Sequence, residues 1–399
     1  MISLQLPNLP LRPAWVEINL AQLRRNFELI RADMPPALKW CSVVKDQAYG
    51  HGAVEIARET ITASASLLAV ATLDEALELR QAQLRQAQLP PAQRRPSLSR
   101  PDVPILIFGE RPANELALCV ENDFSIFVND TTQARQVDYI AQKAGKRANV
   151  HVEIDTGLSR YGVRWTKAPP TIETVLQFAN LQLAGVMTHF AMSDELDKTF
   201  AHVQLRRFTE AMQQLRERKI LPALQTLLHT CNSGGYLDLP PAHFDMVRMG
   251  ILPLGVYPSK VCRRLAGLMP VMSVKTRIAA IKEIEPGDTV GYGMHYCADS
   301  PRQIAVLPIG YGDGFPRLRN TGYVLLHGKR TPIIGGNAMD AMMIDITGIP
   351  ATQLWDEIVI MGKQGDDEIS VHDLAAWGNT VSYDIMTRWS VRMPRVYVE

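Results

Sequence analysis

Lys45 lies in the stretch Val43-Val44-Lys45-Asp46-Gln47-Ala48-Tyr49-Gly50-His51-Gly52. Val43 and Val44 read as the end of a buried strand, which puts Lys45 at its carboxyl end. A desolvated ammonium there loses its proton readily and becomes a nucleophile. Tyr49 and a glycine-rich turn follow, and a helical pattern begins near Ala53. A lysine at the mouth of a strand, with a hydroxyl and flexible glycines beside it, suits a Schiff base to pyridoxal 5'-phosphate. By itself it reads first as a surface lysine after a core strand, so the rest of the chain has to decide.

Polar groups also end other apolar runs. Asp155 to Arg160 follow Val150-His-Val-Glu-Ile154, His189 follows Leu183-Ala-Gly-Val-Met-Thr188, His229 to Ser233 follow a leucine pair, and Arg248 follows Phe244-Asp-Met-Val247. Alone, His189 or His229 reads as a satisfied core histidine and Arg160 as a surface ion-pair partner. Asn232-Ser233-Gly234-Gly235 opens a helix, where backbone N–H groups and a hydroxyl suit a phosphate dianion, and Gly250-Ile251 offer further backbone donors. An N-cap and a turn glycine explain those two segments as well.

The elements that must position these groups are short apolar runs at 38–44, 66–72, 104–109, 124–128, 149–154, 182–188, 225–229 and 244–248. Helical patterns such as 53–63, 73–85, 131–144 and 195–218 lie between them. About eight β-then-α units over roughly 250 residues predict a TIM (β/α)8 barrel, whose chemistry sits at the carboxyl ends of the strands. A doubly wound open sheet is the weaker alternative, because no glycine-rich dinucleotide fingerprint opens the first unit. Residues 86–103, with several Pro and Arg, predict an exposed insertion loop. After about residue 265 the pattern changes to short strand-like runs separated by Pro-Gly, Gly-Asp and His-Gly-Lys turns, with helical patterns only at 371–377 and 382–388. The expected organisation is a tail at 1–12, a barrel over 13–264 and a C-terminal β-rich domain over 265–399.

Composition narrows the partners. The 399 residues carry a net charge of +1, with 46% hydrophobic and 21% charged residues. No field of one sign points to nucleic acid or an anionic membrane. No apolar run reaches membrane-spanning length, and the first residues do not read as a signal peptide. Cys41, Cys119, Cys231, Cys262 and Cys297 are scattered without paired spacing. That argues against a disulfide framework and a zinc site and fits a reducing cytoplasm.

From Trp15 to Tyr397 the chain resembles the alanine racemases, two-domain enzymes built from a barrel and a C-terminal β domain. The resemblance rests on the Lys45 stretch, on Asp155-Thr-Gly157 with Arg160 and Gly162-Val163, and on Met187-Thr-His189-Phe-Ala191. It continues through Asn232-Ser233, Val247-Arg248 with Gly250-Ile251, Val290-Gly-Tyr292-Gly293, Leu307 to Gly314 and Met339-Asp340. It implies that Lys45 binds pyridoxal 5'-phosphate and is one of two bases, with Tyr292 of the partner subunit as the other. Arg248 would face the pyridine nitrogen, and His189 would lie near the ring and link that tyrosine to Arg248. Tyr49, Asn232, Ser233, Gly250 and Ile251 would hold the phosphate end. Arg160 would meet the substrate carboxylate, as would the Met339 amide with Asp340 beside it. No metal is implied. A cytoplasmic homodimer with shared active sites, interconverting L-alanine and D-alanine for peptidoglycan, follows from the same resemblance. A racemase of another small amino acid such as serine is the nearest alternative, then a decarboxylase of the same two-domain fold.

Departures from the family pattern are informative. Glu153 stands where many members have a lysine, often carbamylated, that pairs with the arginine here numbered Arg160; a glutamate is expected to form that salt bridge directly. Asp46-Gln47 replaces the more usual Ala-Asn. Gly335 to Ala338 and Val391 replace bulkier or more polar residues near the substrate entry, which loosens the expectation of strict alanine specificity.

Overall fold

The computed structural model describes residues 12–88, 103–220 and 226–399. The described residues form two compact units. One holds 23–48 and 52–269, and the other gathers the residues before 23, 49–51 and 270–399.

In the first unit the strands Lys39–Val43, Leu67–Val70, Ile105–Ile107, Ser125–Val128, Ala148–Asp155, Leu181–Met187, Leu227–His229 and Met246–Met249 form one parallel sheet. Met246–Met249 pairs back with Lys39–Val43, Arg248 standing opposite Cys41. The Arg248 N–H donates to Cys231 O at 2.8 Å and the Asp245 N–H to Leu228 O at 3.0 Å, which ties the last strand to its predecessor and closes the barrel. The strands fall on the eight expected apolar runs because parallel barrel strands are covered on both faces, so alternation gives way to continuous apolarity. Leu67 to Val70 and Ser125 to Val128 are buried throughout. Residue 225, at the head of one run, and 89–102, the greater part of the expected insertion, lie outside the described residues. Residues 86–88 extend the helix Leu73–Gln88 beyond its predicted end.

The helices between the strands carry ordinary stop and start signals. Asp130 caps Thr131–Ala144 by accepting from the Gln133 N–H, and Gly145 ends that helix with φ 63°. Thr199–Glu217 is the longest, and its buried face includes Gln204, a polar residue on the core side.

The second unit is built on a mixed sheet. Its strands run, in spatial order, Ala280–Ile284, Arg302–Leu307, Met342–Asp345, Lys329–Ile334, Tyr323–Leu326, Glu357–Gln364, Met272–Arg277, Ala14–Asn19 and Arg395–Val398. Ala14–Asn19 pairs antiparallel with Met272–Arg277 and parallel with Arg395–Val398. The expected boundary between 264 and 265 is therefore displaced. The first strand of the chain joins the β-rich unit through backbone pairing, and residues up to 269 stay with the barrel. The helices Val371–Trp377 and Ser382–Thr387 fall where the sequence put them.

Candidate active site

At the carboxyl mouth of the barrel the chain leaves Lys39–Val43 and turns immediately. Asp46, Gln47, Ala48 and Tyr49 all have φ between 50° and 54°. Four consecutive non-glycine residues in the left-handed region cost about 1–2 kcal/mol each, so the surroundings must hold them. Within the barrel unit the Asp46 N–H donates to Glu75 Oε1 at 2.6 Å, Gln47 Nε2 donates to Glu78 Oε2 at 2.8 Å, and Gln47 Oε1 accepts from the Ala53 N–H at 3.2 Å. Lys45, partly exposed, stands at the root of this turn. In the other unit, Gly50 (φ 83°) fits because a Cβ there would meet Met386 O at 2.2 Å. Tyr49 in that unit packs on Tyr383 with ring centroids 6.0 Å apart.

Arg248 is the best-held side chain of the barrel. It is buried, and its Nη1 donates to His229 O at 2.7 Å and to His229 Nδ1 at 3.1 Å. Its Nη2 donates to Thr188 O at 2.9 Å, Thr230 O at 3.1 Å and His189 Nδ1 at 3.3 Å. Among the described residues its Nε–H takes no partner. The neighbouring thiols supply no anion, since burial pushes Cys41 and Cys231 up to about 12. The guanidinium charge is therefore met by carbonyl dipoles and imidazole lone pairs rather than by a bonded carboxylate.

The His189 ring marks where charges converge. Burial holds it neutral, well below the ordinary histidine value, and the charges of Arg248, Arg160 and Lys45 act in the same direction. Gln204 fixes the loop that carries it. Its Nε2 donates to His189 O at 2.9 Å and Thr156 Oγ1 at 3.1 Å, and its Oε1 accepts from the Ala191 N–H at 2.9 Å. Arg160 is exposed and has no ion-pair partner among the described residues. Behind Arg248, His229 Nε2 lies 3.0 Å from His151 Nδ1, with both rings buried.

The expected salt bridge between Glu153 and Arg160 is absent. Glu153 is buried, and its carboxyl group makes no ion pair or hydrogen bond among the described residues. Burial raises its pKa above the usual glutamate value, and the more distant charges of Arg160 and Arg248 only offset part of that. Strand alternation puts His151, Glu153 and Asp155 on one face, but it says nothing of how far the exposed Arg160 stands from them.

Asn232 is a helix cap. Its Oδ1 accepts from the Gly235 N–H at 2.9 Å and from Ser193 Oγ at 2.7 Å, which commits that oxygen to the fold. Ser233 Oγ faces the Gly250 N–H at 3.4 Å, so these two predicted phosphate contacts are brought together, with Ile251 next in the chain. A Cβ on Gly234 would crowd Ser193 Oγ at 3.0 Å, and one on Gly235 would crowd Cys231 Sγ at 3.1 Å, which explains the glycine pair.

In the β-rich unit, Tyr292 opens a short 3-10 turn between Gly291 (φ 74°) and Gly293 (φ 79°) and is 73% exposed. A Cβ on Gly291 would lie 2.7 Å from Gly336 O, so glycine lets that loop pack beneath the tyrosine. Met339 is exposed, and its carbonyl accepts from the Gly312 N–H at 2.7 Å. Its own N–H takes no partner among the described residues. Asp340 beside it is exposed, and Val391 is almost wholly so.

The residues fit the cofactor that the sequence suggests. Arg248 offers one uncommitted N–H, and Ser233 and Gly250 offer a hydroxyl and an amide. No group of three or more metal-ligating side chains is assembled among the described residues. No described helix is long and apolar enough to cross a membrane. Sequence reasoning missed His151, Gln204 and the left-handed turn; only the alternation of His151 with Glu153 on the inward face signalled the first.

Comparison with known proteins points to one family. Residues 18–258 match the family model for the alanine racemase N-terminal domain, and residues 271–397 match that for its C-terminal domain. An alanine racemase from Methanococcus maripaludis is 36% identical over 389 residues, covering 97% of this chain and 99% of that protein. The crystal structure of alanine racemase from Streptomyces lavendulae superimposes with a TM-score of 0.87 at 32% identity, covering 98% of each chain. That of alanine racemase from Bartonella henselae, with covalently bound pyridoxal phosphate, gives 0.83 at 25% identity over 97% of this chain and 99% of the other.

Proposed function

Because the chain belongs to the alanine racemase family and uses pyridoxal 5'-phosphate to interconvert L-alanine and D-alanine, we propose that its two proton carriers are Lys45 and Tyr292 of the partner subunit. The observation that carries this reading is the buried Arg248, which donates to His189 Nδ1 and keeps its Nε–H uncommitted on a strand paired with the one that leads to Lys45. The bound cofactor supplies an electron sink that acidifies the substrate Cα–H.

The chain's own residues do the rest. Arg248 has donors and no acceptor, so it orients a pyridine nitrogen while leaving it unprotonated. Ser233, Gly250 and Ile251 hold the phosphate end. Arg160, without a competing ion pair, meets the substrate carboxylate, and the partner subunit's Met339 offers its free amide with Asp340 beside it. Lys45 takes or returns the α-proton on one face. Tyr292 of the partner subunit does so on the other, and its exposure on a glycine-flanked turn supports that role. His189 accepts from Arg248 at Nδ1, so its Nε2–H points its remaining donor away from the guanidinium and toward such a phenol oxygen. The site is thus completed by a second copy of the chain. All five cysteines are unpaired, which supports a reducing, cytoplasmic setting.

The test is proton exchange by NMR in D2O. The wild-type enzyme should exchange the α-hydrogen of either alanine enantiomer with inversion. Tyr292→Phe should lose inversion by at least about a thousandfold, as expected for a removed proton carrier, yet still exchange one enantiomer with retention through Lys45. Undiminished racemisation by Tyr292→Phe would remove the tyrosine from the mechanism, and exchange with serine but not alanine would move the substrate.

A further inference from the structure

Behind the site, the His229 imidazole is caught between two groups. On one side lies Arg248 Nη1, 3.1 Å from Nδ1, and on the other His151, whose Nδ1 is 3.0 Å from His229 Nε2. A guanidinium only donates, so His229 Nδ1 must accept and its ring proton must sit on Nε2. His229 Nε2–H then needs an acceptor, and His151 Nδ1 is the one within reach. His151 is therefore also the Nε2–H tautomer. The chain of donors runs in one direction, from Arg248 to His229 to His151.

Two further features indicate that this arrangement is built in. The rings meet edge to face with centroids 5.1 Å apart, and His151 is backed by Phe127. The strand Leu181–Met187 carries Gly185 at the crossing, where a Cβ would come within 2.3 Å of His151 Nδ1 and 2.9 Å of His229 Nε2. Glycine at that position leaves room for the hydrogen bond itself.

We propose that His151 is a positioning residue that locks His229 in its Nε2–H tautomer and, through it, holds the Arg248 guanidinium in place for the cofactor's pyridine nitrogen. The last step rests on the reading given under Proposed function. His189 and His229 are the only side-chain partners of Arg248 among the described residues; its remaining bonds go to carbonyls. Without His151 the His229 Nε2–H is buried with nothing to receive it. A flipped or tautomerised ring then turns N–H toward the guanidinium and replaces an attraction with a repulsion.

The experiment is 15N NMR of histidine-labelled protein at pH 7, with and without pyridoxal 5'-phosphate, together with the absorption spectrum of the bound cofactor. Wild type should show His229 and His151 neutral, each with its proton on Nε2. His151→Phe should scramble the His229 tautomer and shift the cofactor band. It should also lower kcat between about tenfold and a hundredfold, the scale of a displaced catalytic group, with little change in KM. His151→Asn, whose amide oxygen can take the place of Nδ1, should restore all three. Gly185→Ala should scramble the tautomer with both imidazoles still present, which covers the case in which His151→Phe fails to fold. A wild-type spectrum with His229 protonated on Nδ1, or with either ring charged, overturns the proposal. So does retention of the Nε2–H tautomer and the cofactor band in Gly185→Ala or His151→Phe. The cofactor-free spectra decide the tautomer even if the chain binds no pyridoxal 5'-phosphate, so the two readings fail separately.

Discussion

Arg248 Nη2 donates to His189 Nδ1 across 3.3 Å, on the side of the guanidinium away from His229. One permanent cation thus faces imidazoles on two sides and keeps both from taking a proton at the nitrogen it meets. Burial does the same to His151, which is held down to about 3.

These neutral histidines make the fold sensitive to acid. In the unfolded chain each protonates below about 6.5, whereas in the fold His151, His189 and His229 do not. The unfolded state then binds more protons, and stability falls as the pH drops below about 6.5, continuing toward 3 for His151. The three rings together give a slope of about 4 kcal/mol per pH unit once the pH is well under 6.5. Burial raises the Glu153 carboxyl, which works in the opposite sense as the pH falls toward the ordinary glutamate range, so the histidine loss should already show between about 6 and 5. Urea midpoints at pH 7, 6 and 5 measure it, and a midpoint that stays flat across that range would mean that the histidines are charged in the fold.

Much of this architecture was legible because it is local. Continuous apolar runs named the barrel strands, and the polar residue after each run named Lys45, His189 and Arg248. What was not legible depends on partners far away in the chain. Ala14–Asn19 is only a short apolar stretch until Met272–Arg277 and Arg395–Val398 flank it. The left-handed turn at 46–49 carries no glycine before Gly50, so propensity gives no warning, and the contacts from Glu75 and Glu78 that hold it come from another helix. The salt bridge assigned to Glu153 went wrong for a related reason. Charge complementarity was visible in the sequence, but the separation of the two groups and the cost of burying the carboxylate were not.

That cost gives a second prediction. A carboxyl whose folded pKa is raised contributes stability that is present below the unfolded value and is lost as the pH rises through the folded value. Glu153→Gln keeps the shape and removes the ionisation. It should raise Tm at pH 8, and the gain should shrink as the pH falls toward 4.5. Thermal melts of the two proteins across that range give the answer, and a variant less stable than wild type at pH 8 would show that the ionised carboxylate is favourably paired after all. KM for alanine should rise in parallel if the charge of Glu153 helps to orient Arg160, with the difference vanishing at low pH.

A third prediction concerns Asp313, in the β-rich unit. It is fully buried, its Oδ2 accepts from the Gly310 N–H at 3.0 Å, and its Oδ1 lies 2.6 Å from Arg12 Nη1 and 3.5 Å from Arg392 Nε. Arg12 also donates from Nη2 to Pro308 O at 3.3 Å. The carboxylate thus gathers the start of the chain, the turn that follows Arg302–Leu307 and the segment after Trp389 around one charge. That same turn holds the Met339 carbonyl through the Gly312 N–H. Removing one member of a buried charge cluster leaves the others uncompensated and costs about 3–5 kcal/mol. Asp313→Ala should therefore lower the urea midpoint by that equivalent. Arg12→Ala should cost much less, because Arg392 still faces the carboxylate and the Arg12 side chain is partly open to water. The asymmetry is the diagnostic result: equal losses from both variants would mean that the Arg12 ion pair carries the whole contribution of Asp313 and that Arg392 does not compensate for it.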